Sequence, residues 1–203
     1  MNFDEFCEKG IVMGEMNYEK YINHGFATMS GKFEFCLKNP NIFGIDPLPT
    51  YREPSLSPLS SPEMSKDFPL ILSAGRALRN FFHSEGRQIP LLRRGNPDPL
   101  VEIHPDTAAA LGISNKDWVW IETKAGRVRM RAKLFDGIAP DVVNAQPGWW
   151  FPEDEPPEYG WKKSSVNLLF GQTEYDPDNG AESLRSALCR VYPVNPLNNT
   201  FGV

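Results

Sequence analysis

Residues 73–95 contain five arginines (Arg76, Arg79, Arg87, Arg93 and Arg94), together with His83 and a single acid, Glu85. The whole chain carries a formal net charge of -5, so this is a local anion-binding composition on an acidic protein. Guanidinium groups present forked donors that match phosphate geometry, and Arg76 directly follows a glycine in Leu72-Ser73-Ala74-Gly75-Arg76. Glycine lets backbone approach a ligand closely, so backbone N–H groups and arginine forks are expected to converge on one phosphate-bearing molecule. The bland alternative is a solvated loop with scattered charges. His83 and Ser84 lie inside the same segment and offer hydrogen bonds to a diphosphate.

Other chemistries find less support. Ser84 has no nucleophile-elbow context, and a histidine adjacent in sequence is a poor start for triad geometry. Neither a Gly-x-x-x-x-Gly-Lys-Ser/Thr loop nor a Gly-x-Gly-x-x-Gly turn after a strand occurs, which removes Walker-type and Rossmann sites. Cys7, Cys36 and Cys189 are widely spaced without a Cys-x-x-Cys pair, so no zinc or iron–sulfur site is expected from them. His104, just before Pro105, reads as a capping or packing residue, and His24 carries little weight. No metal ligand and no catalytic residue is assigned. One short basic segment is too little for a nucleic-acid binder, which needs a broad basic surface. No apolar run approaches the roughly 18 residues of a membrane span, and the acidic start Met1-Asn2-Phe3-Asp4-Glu5 is unlike an export signal.

The elements that must hold the arginine segment are short. Pro69-Leu70-Ile71-Leu72-Ser73 reads as a buried strand ending at Gly75, and Val101-Glu102-Ile103 as another. Pro105, Asp106, the run Ala108-Ala109-Ala110-Leu111 and the stop at Gly112 predict a helix of about two turns. Trp118-Val119-Trp120-Ile121-Glu122-Thr123 and the alternating Arg127-Val128-Arg129-Met130-Arg131-Ala132-Lys133-Leu134 predict a hairpin with one wet face. Val142-Val143-Asn144-Ala145 and Leu188-Cys189-Arg190-Val191-Tyr192 add two more strands, and many short strands with one small helix imply a closed barrel. Upstream, short helices are expected around Phe3 to Lys9 and Tyr18 to Asn23, with a turn entering a strand over residues 25–35. Residues 39–67 are dense in proline and serine and predict an extended linker without helix or sheet. Trp149, Trp150 and Trp161 flank an acidic, proline-rich loop that reads either as an aromatic cap over the barrel end or as the wall of a cofactor or subunit interface.

The ordered set Leu72-Ser73-Ala74-Gly75-Arg76, Phe82-His83-Ser84, Arg87-Gln88, residues 99–105, Gly112-Ile113, Gly148-Trp149-Trp150, Asn167 and Asp176-Pro177 resembles the C-terminal domain of the molybdopterin oxidoreductase (dimethyl sulfoxide reductase) family. Thr28-Met29-Ser30-Gly31-Lys32-Phe33-Glu34 resembles a segment that precedes this domain in the family, and the sharpest likeness is to the branch of thiosulfate and polysulfide reductases and related anaerobic dehydrogenases. The resemblance implies a mainly β fold, a six-stranded double-psi β-barrel with short helices preceded by a Pro-rich linker. It divides the chain into a remnant of a preceding domain (1–38), the linker (39–67), the barrel (68–194) and a tail (195–203). It also implies molybdopterin guanine dinucleotide as the cofactor. Ala74, Gly75 and Arg76 would lie at its phosphate-binding turn, and His83 with Ser84 would contact the pterin or diphosphate. Asn167 matches a cofactor-binding asparagine, Arg185 a basic contact, and Arg87 and Gln88 are further candidates. Ala74 stands where the family commonly has threonine, so a hydroxyl donor is lost. The family's iron–sulfur cysteines and its molybdenum ligand have no counterpart here, so the chain is expected to be the C-terminal part of a larger molybdenum or tungsten enzyme and inactive alone. Its expected partners are the remaining domains and an electron-transfer subunit. The rival readings are a barrel serving as a protein-interaction or substrate-adaptor module, and a small decarboxylase-like enzyme, which lacks a self-processing Gly-Ser site.

Overall fold

The computed structural model describes residues 1–36, 44, 46–48, 50–75, 80–171, 175–176, 180–195 and 197. They fall into two compact units, Met1–Tyr51 and Arg52–Val203.

The second unit is built on a closed barrel of six strands: β1 (Leu70–Ala74), β2 (Leu100–Ile103), β3 (Trp118–Glu122), β4 (Arg127–Leu134), β5 (Val142–Ala145) and β6 (Ala187–Pro193). Around the barrel the order is β1, β5, β2, β4, β3, β6 and back to β1. The β1–β5 and β2–β4 pairs are parallel and the other neighbours antiparallel. Closure leaves no free sheet edge, which lets strands of four to eight residues form one stable body. This is the six-stranded barrel with short helices that the sequence predicts.

The barrel interior follows from period-two alternation. In β4, Val128, Met130 and Ala132 point inward to meet Leu72, Val101, Ile103, Val119, Ile121, Val143 and Val191 in one buried cluster. The opposite face of β4 departs from the expected wet surface. Trp118 and Trp120 of β3 stand on that face, Trp120 is fully buried, and the guanidinium carbons of Arg127 and Arg131 lie 4.5 and 4.4 Å from the Trp120 and Trp118 ring centres. Aromatic faces need cover, and arginine stems with their flat heads supply it while keeping the charge near water. Burial accordingly lowers the pKa of Arg129.

The helix α5 (Pro105–Ala110) opens with His104 as its cap: the Nδ1 atom accepts from the Asp106 N–H at 3.2 Å. Gly112 follows its end at φ +65°, as a helix stop requires. The linker expectation needs correction, because Pro62–Asp67 forms a helix, α3. Pro62 occupies its first turn, where the missing N–H costs nothing and the fixed φ favours entry. A further short helix, α4 (Pro90–Arg93), starts on Pro90 in the same way.

In the first unit, α1 (Phe3–Lys9) and α2 (Tyr21–His24) form, the former with a capping box between Asn2 and Glu5. No strand forms within residues 25–35. Side chains tie that segment into a turn instead: Ser30 N–H donates to Glu34 Oε1 at 2.9 Å and Thr28 Oγ1 to the Lys32 carbonyl at 2.7 Å. Backbone bonded to its own neighbours is withdrawn from a ladder.

Candidate cofactor-binding site

The segment after β1 and the loop after β5 meet at Arg87. Its guanidinium is almost fully buried, with Nη1 donating to the carbonyls of His83 (2.8 Å) and Glu85 (3.1 Å) and Nη2 to that of Pro147 (3.3 Å). Its carbon lies 4.5 Å from the Phe81 ring centre and 4.9 Å from that of Trp149. Burial first, and the Arg93 charge second, push its pKa down to about 10, so the group remains a cation at neutral pH. Three carbonyls and two aromatic faces replace the water this cation has lost.

Arg93 serves the same loop. It forms a bidentate pair with Glu153 (2.7 and 2.9 Å), donates to the Pro97 carbonyl at 3.0 Å, and stands 5.7 Å from the Trp149 ring centre. Burial, the largest single effect, would raise the Glu153 pKa, but the hydrogen bond from Arg93, a backbone hydrogen bond and the Arg93 charge together outweigh it and hold the carboxyl below its usual range. The expected convergence of the arginines on one ligand therefore needs correction: Arg87 and Arg93 bind the protein itself, and Arg94 is exposed. Arg76 and Arg79 lie outside the described residues.

These two arginines fix the entry of an aromatic loop. Trp149 is buried edge-on to Phe81 and Phe151, with ring centres 5.9 and 6.5 Å away. Trp150 faces the other way, and its indole N–H donates to the Ser84 carbonyl at 2.6 Å. The acidic, proline-rich stretch turns back through Phe151 N–H to Tyr159 O at 2.7 Å, and Lys163 Nζ clasps Asp154 at 2.6 Å. Two 3-10 turns follow, Trp161–Lys163 and Val166–Leu169.

A cleft of about 720 Å³ opens between these pieces. Ser84 and Gln88 line it from the segment after β1, and Gly148, Trp149 and Trp150 from the loop after β5. Pro152, Pro157, Glu158, Tyr159, Trp161, Ser165 and Asn167 complete it. A second cleft of about 610 Å³ shares Ser84, Gln88 and Trp150 with it and is otherwise walled mainly by Phe82, Ile89 and Leu92. Such volumes suit an organic ligand of cofactor size, with aromatic surface for contact area and a few polar groups for orientation.

Of the residues expected at the site, the cleft gathers Ser84, Gln88 and Asn167. His83 is exposed beside it at φ +48°, its ring edge-on to Phe82 and its carbonyl held by Arg87. Ala74 is buried at the end of β1, and its N–H donates to the Leu184 carbonyl at 2.8 Å. Gly75 is exposed at φ +113°, and a Cβ there would meet nothing within 4 Å. Arg185 is exposed in the turn before β6, away from the cleft lining. All three tryptophans of the loop border the cleft, and Trp149 is in addition buried against Phe81 and Phe151. Sequence reasoning missed Glu158 and Tyr159, whose only signal was their place in that loop. Among the described residues no three His, Cys, Asp or Glu side chains group as a metal site, and no helix is long and apolar enough to cross a membrane.

Barrel and cleft together define a cofactor-binding β-barrel domain. Residues 70–188 match the family model of the Molydopterin dinucleotide binding domain. The chain belongs to that family, the C-terminal cofactor-binding domain of the molybdopterin oxidoreductases, and its cofactor is a molybdopterin dinucleotide. It is 42% identical to dopamine dehydroxylase of Eggerthella lenta over 154 residues, which cover 76% of this chain and 15% of that protein. It is 36% identical to acetylene hydratase of Syntrophotalea acetylenica over 196 residues, 93% of this chain and 27% of that one. The structure of acetylene hydratase from Pelobacter acetylenicus superposes with a TM-score of 0.83 at 32% identity, covering 96% of this chain and 28% of the other. The chain thus spans between 15% and 28% of the length of these relatives. The cleft's chemistry fits the cofactor: flat heterocycles want aromatic walls, and their ring nitrogens want amides, hydroxyls and a carboxylate. The interaction-module alternative is not favoured.

Proposed function

We propose that the cleft holds one end of the guanine form of the molybdopterin dinucleotide, with Ser84, Gln88 and Asn167 as its hydrogen-bonding contacts. The observation that carries this is the meeting of Ser84 and Gln88 with Asn167, far apart in sequence, around one cleft of about 720 Å³. In this reading Gly75 and Arg76, which follow β1 in sequence, receive the diphosphate, with His83 and Arg185 as outer contacts and Ala74 setting the direction of the turn. Arg87 acts by holding the carbonyls of His83 and Glu85 rather than by touching the cofactor.

When bound, the cofactor supplies metal-centred chemistry, with molybdenum or tungsten ligated in the remaining domains of a longer oxidoreductase. This chain's residues bind and orient the dinucleotide and keep water from its buried face. An electron-transfer subunit is the further partner that this reading implies.

Binding is the test. The purified chain should retain molybdopterin guanine dinucleotide, followed by the fluorescence of its oxidised pterin, and Asn167→Ala or Ser84→Ala should each weaken retention about tenfold, the value of one or two lost hydrogen bonds. Unchanged retention in both variants would remove the cleft from the cofactor site.

A further inference from the structure

Asn167 stands exposed on the 3-10 turn Val166–Leu169, whose residues Val166 and Leu169 are buried in the barrel core. Among the described residues its side-chain amide has no hydrogen-bond partner, so its direction is set by the backbone that carries it. That backbone is gripped by the β3–β4 hairpin. Thr123, buried just after β3, donates its hydroxyl to the Leu169 carbonyl at 2.8 Å and accepts from the Ala125 N–H at 3.1 Å. A hydroxyl has one proton, and here that proton is committed to Leu169. Gly126, just before β4, lies so near the turn that a Cβ on it would stand 3.1 Å from the Leu168 carbonyl oxygen. Upstream, the buried Ser164 hydroxyl donates to the Arg129 carbonyl of β4 at 2.8 Å. The hairpin thus fixes the chain on both sides of Asn167, while neither Thr123 nor Gly126 lines the cleft that Asn167 borders.

We infer that Thr123 is a positioning residue for cofactor binding, acting through Asn167. A buried carbonyl left without a donor must take up water or turn toward another partner, and in a turn of four residues either movement rotates the neighbouring peptides. Phe170 N–H reaches the Asn167 carbonyl only at 3.4 Å, so the exit of the turn is weakly held by its own backbone. Without the Thr123 hydroxyl the turn has to be ordered on binding, which weakens affinity although Asn167 is still present. The inference rests on the assignment of Asn167 to the cofactor and names what aims it.

The test is a double-mutant cycle on the 203-residue chain, read as retention of molybdopterin guanine dinucleotide by the fluorescence of its oxidised pterin. Thr123→Val, close in shape but without the hydroxyl, should weaken retention about fivefold, and Thr123→Ser should restore it to within about twofold of wild type. In the Asn167→Ala background Thr123→Val should change retention by less than about twofold, because the side chain it positions is gone, whereas a merely structural loss would carry over undiminished. Gly126→Ala presses on the Leu168 carbonyl instead of releasing that of Leu169. It should follow the same pattern in both backgrounds, and it takes the place of Thr123→Val in the cycle if that variant does not fold. Wild-type retention in these variants, no recovery in Thr123→Ser, or an equal loss with and without Asn167 overturns the inference and leaves the assignment of Asn167 standing. If Asn167→Ala itself retains the cofactor as wild type does, or wild type retains none, the assignment falls and the role of Thr123 falls with it.

Discussion

Trp150 donates its indole N–H to the backbone carbonyl of Ser84 across 66 positions of sequence, at 2.6 Å. The bond joins the segment after β1 to the loop after β5 and sets a wall that both clefts share. Replacing Trp150 by Phe keeps a ring but removes the donor. Stability should fall by about 1 kcal/mol or less, since the bond is exposed and water can replace it. Affinity for the dinucleotide should fall severalfold, because an unpinned ring loses part of its binding contribution in being ordered. Denaturant titration and cofactor retention, measured on the same preparation, check the two halves.

Arg87 behaves differently, since its guanidinium is buried against three carbonyls and two rings. Arg87→Ala leaves a void and several carbonyls without donors, and should cost about 3–5 kcal/mol. Arg87→Lys restores the charge without the fork and should recover only part of that, since a point ammonium cannot serve His83, Glu85 and Pro147 at once. Urea midpoints of the two variants, ranked wild type, Lys, Ala, are the check.

The barrel was legible because each strand carries its own signal. Alternation in β4 and the apolar runs in β1 and β5 place the inward residues without tertiary knowledge, and Pro105 and Gly112 bracket α5. The helices α3 and α4 were missed because proline breaks a helix interior but starts a helix end, and composition does not say which position it holds. The site was legible only in part. Residue type marks an arginine as a phosphate binder, but whether the group meets a ligand or a carbonyl depends on what folds against it, and Pro147 and Glu153 lie 60 positions from Arg87 and Arg93. Trp149 and Trp150 are adjacent and alike in sequence. Only the folded packing shows that Trp149 is buried against Phe81 and Phe151 while Trp150 is bonded to the Ser84 carbonyl.

Glu122 links stability to pH. Burial would raise its pKa, but hydrogen bonds from Arg190 and Tyr192, with the charges of Arg190 and Arg127, bring it below the usual 4.5. A carboxyl whose folded pKa lies below its unfolded value adds stability above the unfolded pKa and loses it as pH falls through the folded one. Glu122 should therefore contribute fully near neutrality and lose that contribution progressively below pH 4.5. Glu122→Gln should be less stable than wild type at pH 7 and approach it on acidification; chemical denaturation at intervals from about pH 7 to about pH 3 tests the convergence.

Gly148 supplies the turn that leads into the two tryptophans. Its φ is +63°, and a Cβ there would lie 3.2 Å from both the backbone nitrogen and the Cα of Ser84, atoms that cannot step aside as a side-chain tip can. Gly148→Ala should cost about 1–3 kcal/mol for left-handed backbone in a non-glycine residue, and the contact with Ser84 adds to it. The strain has one direction of release, which is separation of the loop from residues 83–84. That movement lengthens the Trp150–Ser84 hydrogen bond and opens the wall of the cleft. Cofactor affinity should then fall in Gly148→Ala by more than in Trp150→Phe, since the alanine displaces Ser84 and Trp150 together. A Gly148→Ala protein that loses stability yet retains the dinucleotide as well as wild type would show that the loop relaxes elsewhere, and that the close approach at Gly148 serves folding alone.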